Sequence, residues 1–307
     1  MYISLKYKLC VLFAPVACLL FIACNNSNTA SENETLKKDS MNTTTVTPEN
    51  KTKQGIKGPA GNLYIDDGGN GKKLPVLFLH SFGGSTRHWE NQLEYLRKDR
   101  RAIAMDLRGH GRSDAPSNND YNVEALTKDI EVIVDSLDLD RFIIVGHSLG
   151  GSAAIAYAGK HPGKVAGLLV TGTPGKTPAE LSKPIIASLE SDKYDTVMEQ
   201  YMTKLLTNAV PGTDKLEREG MNKISKEASI AIIKEAFKYD PLPDLHKYPG
   251  PELIVSRSNE EQPNSLHNAF PTIPYKTVEG TSHWIQLDKP GEFNKILNEF
   301  LERVERK

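Results

Sequence analysis

The chain has 307 residues with 38 Lys and Arg against 39 Asp and Glu, so no charge excess directs it to nucleic acid or to an anionic surface. At 38% hydrophobic and 25% charged residues it can bury one sizeable core, which excludes disorder, collagen and coiled coil as descriptions of the whole. Its three cysteines, Cys10, Cys18 and Cys24, fall within the first 24 residues and leave nothing downstream for a disulfide framework, a zinc site or a thiol nucleophile.

Those cysteines sit in a targeting segment. Lys6 and Lys8 precede an apolar stretch from Leu9 to Ala23, short for a membrane span and broken by Pro15, which predicts a signal peptide over residues 1–23. Its end, Phe21-Ile22-Ala23-Cys24, resembles a bacterial lipobox, with Phe21 where leucine is usual. That resemblance implies lipidation of Cys24 and a lipid-anchored place in the bacterial cell envelope, facing the periplasm or exposed at the surface. Cleavage by an ordinary signal peptidase and a retained anchor are the alternatives. Residues 24–54 are rich in Asn, Ser, Thr, Glu and Lys, with almost no large apolar side chain to offset chain entropy, and are expected to form the lipidated N-terminus and a flexible tether.

Beyond the tether, apolar runs bounded by turn residues alternate with helical patterns. Asn62 to Asp66 reads as an antiparallel first strand, with a hairpin turn at Asp67 to Gly71. Leu74 to His80, Arg101 to Asp106, Arg141 to Gly146, Val165 to Thr171, Glu252 to Ser256 and Tyr275 to Glu279 are apolar enough for strands covered on both faces. Helices are predicted over Trp89 to Arg97, Val123 to Leu137, Leu149 to Lys160 and Gly291 to Val304; Leu126, Ile130, Ile133, Val134 and Leu137 mark one helical face. Such alternation predicts an α/β fold with a mainly parallel, doubly wound sheet. It breaks between Thr173 and Tyr248, where four amphipathic helices follow one another: Pro178 to Glu190, Tyr194 to Thr207, Asp214 to Ile224 and Lys226 to Tyr239.

Gly146-His147-Ser148-Leu149-Gly150-Gly151 joins a strand to a helix of small residues. Glycines at 146 and 150 permit a tight turn, which exposes the Ser148 hydroxyl in strained geometry at a helix N-terminus. The glycine-rich loop His80-Ser81-Phe82-Gly83-Gly84 closes an earlier strand, and the N–H groups of Phe82 and Leu149 are placed to form an oxyanion hole. Asp106-Leu-Arg-Gly-His110-Gly-Arg-Ser-Asp114 reads as a structural turn. His283, in Gly280-Thr-Ser-His-Trp284 after the last strand, is placed to return over the sheet edge and take the serine proton.

In this order the motifs resemble those of the α/β-hydrolases, over roughly Gly55 to Lys307, and most nearly the small serine esterase, lactonase and perhydrolase-like group. The resemblance implies Ser148 as nucleophile, His283 as general base, a core of residues 55–173 and 249–307, and a helical cap over 174–248. The sequence has no dinucleotide fingerprint, P-loop or metal-ligand spacing, so no cofactor is implied. Ser81 departs from the family's usual His-Gly pair. The family's acid is expected after the strand ending at Ser256, but Arg257-Ser-Asn-Glu260-Glu261-Gln-Pro263 offers no aspartate. A glutamate can orient the imidazole equally well. Spacing from Pro251 favours Glu260, and anchoring on Pro263 favours Glu261, which is slightly preferred.

The expected function is hydrolysis of carboxylic esters or lactones through an acyl-enzyme, on a small apolar substrate suggested by Phe82, Trp89, Leu149, Met198, Met202 and Trp284. Perhydrolysis and C–C cleavage use similar machinery. A serine at 148 argues against dehalogenase or epoxide-hydrolase chemistry through an alkyl-enzyme, which needs a carboxylate there. The competing reading is a non-catalytic small-molecule binding or receptor protein on a hydrolase scaffold.

Overall fold

The computed structural model describes residues 54–258 and 265–306. The chain opens with β1 (Gln54–Gly58), β2 (Gly61–Gly68) and β3 (Val76–Leu79). A single 3-10 turn, Thr86–Trp89, then leads into α1 (Glu90–Leu96). Four units follow: β4 (Ala102–Met105), α2 (Val123–Ser136), β5 (Phe142–His147) with α3 (Leu149–Lys160), and β6 (Val165–Thr171). Five helices come next, α4 (Ala179–Leu189), α5 (Tyr194–Leu205), α6 (Pro211–Met221), α7 (Lys226–Lys238) and α8 (Leu242–Lys247). The chain then returns through β7 (Glu252–Arg257), the short α9 (Leu266–Ala269), β8 (Tyr275–Val278), the short α10 (Ile285–Asp288) and α11 (Pro290–Glu305).

The eight strands form one sheet in the order β1-β2-β4-β3-β5-β6-β7-β8. β1 and β2 pair antiparallel, β2 pairs antiparallel with β4, and the strands from β4 to β8 run parallel. Alternate side chains divide between two cores, as the period of a strand requires. Leu77, Ile103, Ile144 and Leu168 pack with α2 and α3 on one face; Phe78, Ala104, Val145 and Leu169 pack with α1 and α11 on the other. Burial on both faces explains why these strands read as continuous apolar runs. Of the predicted stripe of α2, Leu126, Ile130, Ile133 and Val134 are buried and Leu137, at the C-cap, is half-buried; Asn122 caps the other end by accepting from the Ala125 N–H at 2.7 Å.

Two expectations change. The hairpin turn lies at Pro59-Ala60 and not at Asp67 to Gly71, because β1, beginning at the last residue of the expected tether, pairs in front of β2. β1 is an edge strand of largely polar text, with Ile56 as its one large apolar side chain, so it carries no readable alternation. The helical insertion also contains a fifth helix, α8, with Pro241 at its N-cap and Pro243 in its first turn, where proline is tolerated.

Candidate active site

The order of chain connection reverses at β3 and β5, whose neighbours are β4 on one side and β6 on the other, and the loops at their C-terminal ends carry Ser81, Phe82 and Ser148. Ser148 stands at the end of β5 with φ 52° and ψ −113°, the left-handed half of the map that non-glycine residues avoid. Its neighbours impose this. A Cβ on Gly146 would meet the Gly151 Cα at 2.6 Å, and one on Gly150 would meet the Leu79 carbonyl carbon at 2.6 Å, so only glycine lets α3 start this close to β3 and β5. The Ser148 N–H donates to the Thr171 carbonyl at 2.9 Å and the Gly150 N–H to that of His80 at 3.1 Å, which lock the turn between its two flanking strands.

His283 lies on the loop between β8 and α10, 7% exposed. Together with Ser148 it lines one small cavity, whose walls include Ser81, Phe82, Tyr201, Met202, Met221 and Trp284. The free space is about 10 Å³, room for roughly one water molecule. The Phe82 and Leu149 N–H groups donate to no acceptor among the described residues. These are the two groups expected to form an oxyanion hole; Phe82 lines the cavity with Ser148, and Leu149 opens α3.

The support of His283 was not legible in the sequence. His147, inside the elbow motif, is fully buried, and its Nε2 lies 3.1 Å from the His283 carbonyl while its Nδ1 lies 3.2 Å from the Gln286 side-chain amide. Burial, with His283 beside it, holds His147 well below the usual histidine range. It is therefore neutral, donating from Nε2 to the carbonyl and accepting at Nδ1. Gly172, at φ +55°, closes in from β6; a Cβ there would lie 2.7 Å from His283 Cε1. From the helical insertion, the Leu205 carbonyl at the end of α5 accepts the His283 N–H at 3.0 Å. Asp288 accepts from the Ser282 N–H at 2.7 Å and from the Val210 N–H at 3.1 Å, tying the same loop to the insertion.

Ser81, the departure from the family pattern, has a structural partner: its Oγ accepts from Trp284 Nε1 at 3.1 Å and fastens the glycine loop to the histidine loop. Asp106 accepts from the Thr86 and Arg112 N–H groups at 2.5 and 2.8 Å, while Arg108 makes a buried pair with Asp129 at 2.6 Å, so this turn is structural. Of the apolar residues expected near a substrate, Phe82, Met202 and Trp284 line the cavity, whereas Leu149 is buried in the main core and Trp89 packs against Phe78 and Phe293. Met198 is buried in the main core, away from the lining. Glu260, Glu261 and Cys24 lie outside the described residues, as do the expected signal peptide and the expected tether up to residue 53. No helix among the described residues is long and apolar enough to cross a membrane.

Comparison with known proteins bears on the fold and the family. The family model for the alpha/beta hydrolase fold matches residues 75–208. Epoxide hydrolase 3 of Xenopus tropicalis is 30% identical over 282 residues, spanning 78% of this chain and 74% of the relative. The sn-1-specific diacylglycerol lipase ABHD11 of Mus musculus is 24% identical over 258 residues, 74% of this chain and 80% of that one. Among solved structures, the enol-lactonase from Burkholderia xenovorans LB400 superposes with a TM-score of 0.68 at 22% identity, over 81% of this chain and 100% of the other. An esterase from Exiguobacterium antarcticum gives 0.70 at 20% identity, over 82% and 100%. At those identities the structures speak to the fold, and the sequence relatives carry the family: the chain is an enzyme of the α/β-hydrolase fold family.

Proposed function

We propose that the protein is a serine hydrolase of carboxylic esters or lactones. The observation that carries this reading is Ser148, strained at the head of α3, sharing one cavity with His283 and flanked by two uncommitted N–H groups. In the proposed cycle the Ser148 hydroxyl attacks the carbonyl carbon and passes its proton to His283. The oxyanion accepts from Phe82 and Leu149, then collapses, and His283 returns the proton to the departing alkoxide. Water repeats the sequence on the acyl-enzyme; with a lactone the released hydroxyl stays attached to the acyl chain. Glu261, or Glu260 beside it, is the proposed anion that holds the His283 tautomer and stabilises its cation.

The apolar walls, Phe82, Met202, Leu205, Met221 and Trp284, favour a small apolar acyl or lactone group. A serine, not a carboxylate, at 148 sets the ester reading above the alkyl-enzyme route to epoxide opening. Ser148→Ala should abolish turnover of p-nitrophenyl butyrate and labelling by a fluorophosphonate, with the thermal midpoint unchanged. A folded wild-type protein that resists the probe would instead support a binding protein on this scaffold. The lipobox resemblance supports a second proposal, a lipid anchor on Cys24 in the bacterial envelope. Cys24→Ser should move the protein from the membrane to the soluble fraction, and a variant that stays membrane-bound rejects the anchor.

A further inference from the structure

About 10 Å³ beside Ser148 admits no ester, so on the reading above the helical insertion must move for substrate to enter. Its attachments differ along the seam. At the end of α5 and the start of α6, backbone N–H and carbonyl groups are well paired through Leu205 with His283 and Val210 with Asp288. Further along α6 the helix lies directly on the glycine loop: a Cβ on Gly220 would strike the Gly83 carbonyl, and one on Gly83 would strike Met221. There Glu217 is buried completely, with Oε1 3.0 Å from Nε2 of His88, itself 1% exposed behind the loop. Neither carboxyl oxygen makes a well-formed hydrogen bond, and neither does His88 Nδ1.

Burial disfavours the ionised form of both partners. Burial raises Glu217 well above the usual carboxyl range, with Asp288 adding to it. Burial lowers His88 well below the histidine range, and His80, His110 and Arg87 press in the same direction. Burial thus pushes both groups toward their uncharged forms. A cavity of about 80 Å³, bordered by Gly84, His88, His110, Leu216 and Gly220, lies on the same seam. Each dehydrated polar group costs free energy while α6 is seated and recovers hydration when it lifts, whereas an apolar pair would lose contact.

We infer that the Glu217–His88 contact is the release point of the insertion, a buried polar pair that lowers the cost of lifting α6 from the glycine loop to admit substrate to Ser148. Glu217 acts through the position of α6 and touches no reacting atom. This inference rests on the ester-hydrolase reading for its consequence in turnover, and on geometry alone for the opening itself.

The test compares wild type with Glu217→Leu and with Glu217→Met, which offers a second apolar shape if leucine fails to fold. Hydrogen exchange is followed over residues 211–221, together with the thermal midpoint and steady-state hydrolysis of p-nitrophenyl butyrate. The expected result is a raised midpoint, exchange over α6 slowed about tenfold, and kcat/KM reduced several-fold. A residue with a merely structural role would lower the midpoint and speed exchange, which overturns the inference, as does unchanged exchange in both variants. The exchange measurement needs no turnover and decides the release point even where wild type fails to hydrolyse the ester, a result that would reject the function and not the device.

Discussion

Gly172→Ala tests the site at a position that touches no substrate. Gly172 follows β6 at φ +55°, where a Cβ costs about 1 kcal/mol in the backbone alone. That Cβ would lie 2.7 Å from His283 Cε1 and 3.1 Å from His147 Nε2, against an ordinary carbon contact of about 3.5 Å. Relief requires the His283 ring to yield by roughly 0.8 Å, since His147 behind it is fixed by Gln286 and by the His283 carbonyl. A misplacement near 1 Å costs on the order of 100-fold in rate. The substitution should thus lower kcat for p-nitrophenyl butyrate by about 30- to 100-fold, slow fluorophosphonate labelling of Ser148, and remove about 1–3 kcal/mol of stability. Gly163→Ala is the control: nothing lies within 4 Å of its added Cβ, and both kinetics and midpoint should stay at wild-type values. Gly172→Ala with kcat within about twofold of wild type would refute the placement of His283 argued above.

Two pH predictions have opposite signs. His80 and His110 are buried neutral, pushed down to about 4 and about 3, and His88 and His147 are lowered with them by burial. Their folded values lie below the unfolded 6.5, so the stability they contribute is present above that pH and is lost as pH falls; His80 alone accounts for about 3 kcal/mol by pH 4. Urea midpoints should decline between pH 6.5 and 4.5, before most carboxylates titrate, and a flat profile there rejects the neutral assignment. Glu252 at the start of β7 is raised to about 7 by burial, above its unfolded value, so its contribution is present below about pH 4.5 and is lost as pH rises to 7. Glu252→Gln should gain about 1–2 kcal/mol at pH 8, a range reduced for its partial exposure, and nothing at pH 4. Equal gains at both values would show that ionisation is not the cause.

What the chain determines by itself is local and repetitive. The runs from Val76 to Leu79, Phe142 to His147 and Val165 to Thr171 are legible as buried strands because both faces are covered, and α3 is delimited by Leu149 and Lys160 as read, since the elbow glycines and the small residues after Ser148 have no other economical use. The strained turn at Ser148 was legible for the same reason, since it is written in the glycines on either side of it, whereas His283 stood out only through the order of motifs along the chain. Tertiary structure decided whatever joins residues distant in the chain. β1 emerges from polar text only because the edge of β2 accepts it. Ser81 gains its meaning from Trp284, 203 positions away, and His147 from Gln286, 139 positions away. Glu217 reads as an ordinary polar position on an amphipathic helix, and only the approach of α6 to the glycine loop, through Gly220 against Gly83, takes its carboxyl out of water and sets it on His88. Periodicity and turn chemistry report the near neighbourhood of each residue, whereas burial of a polar group is a property of the packed whole.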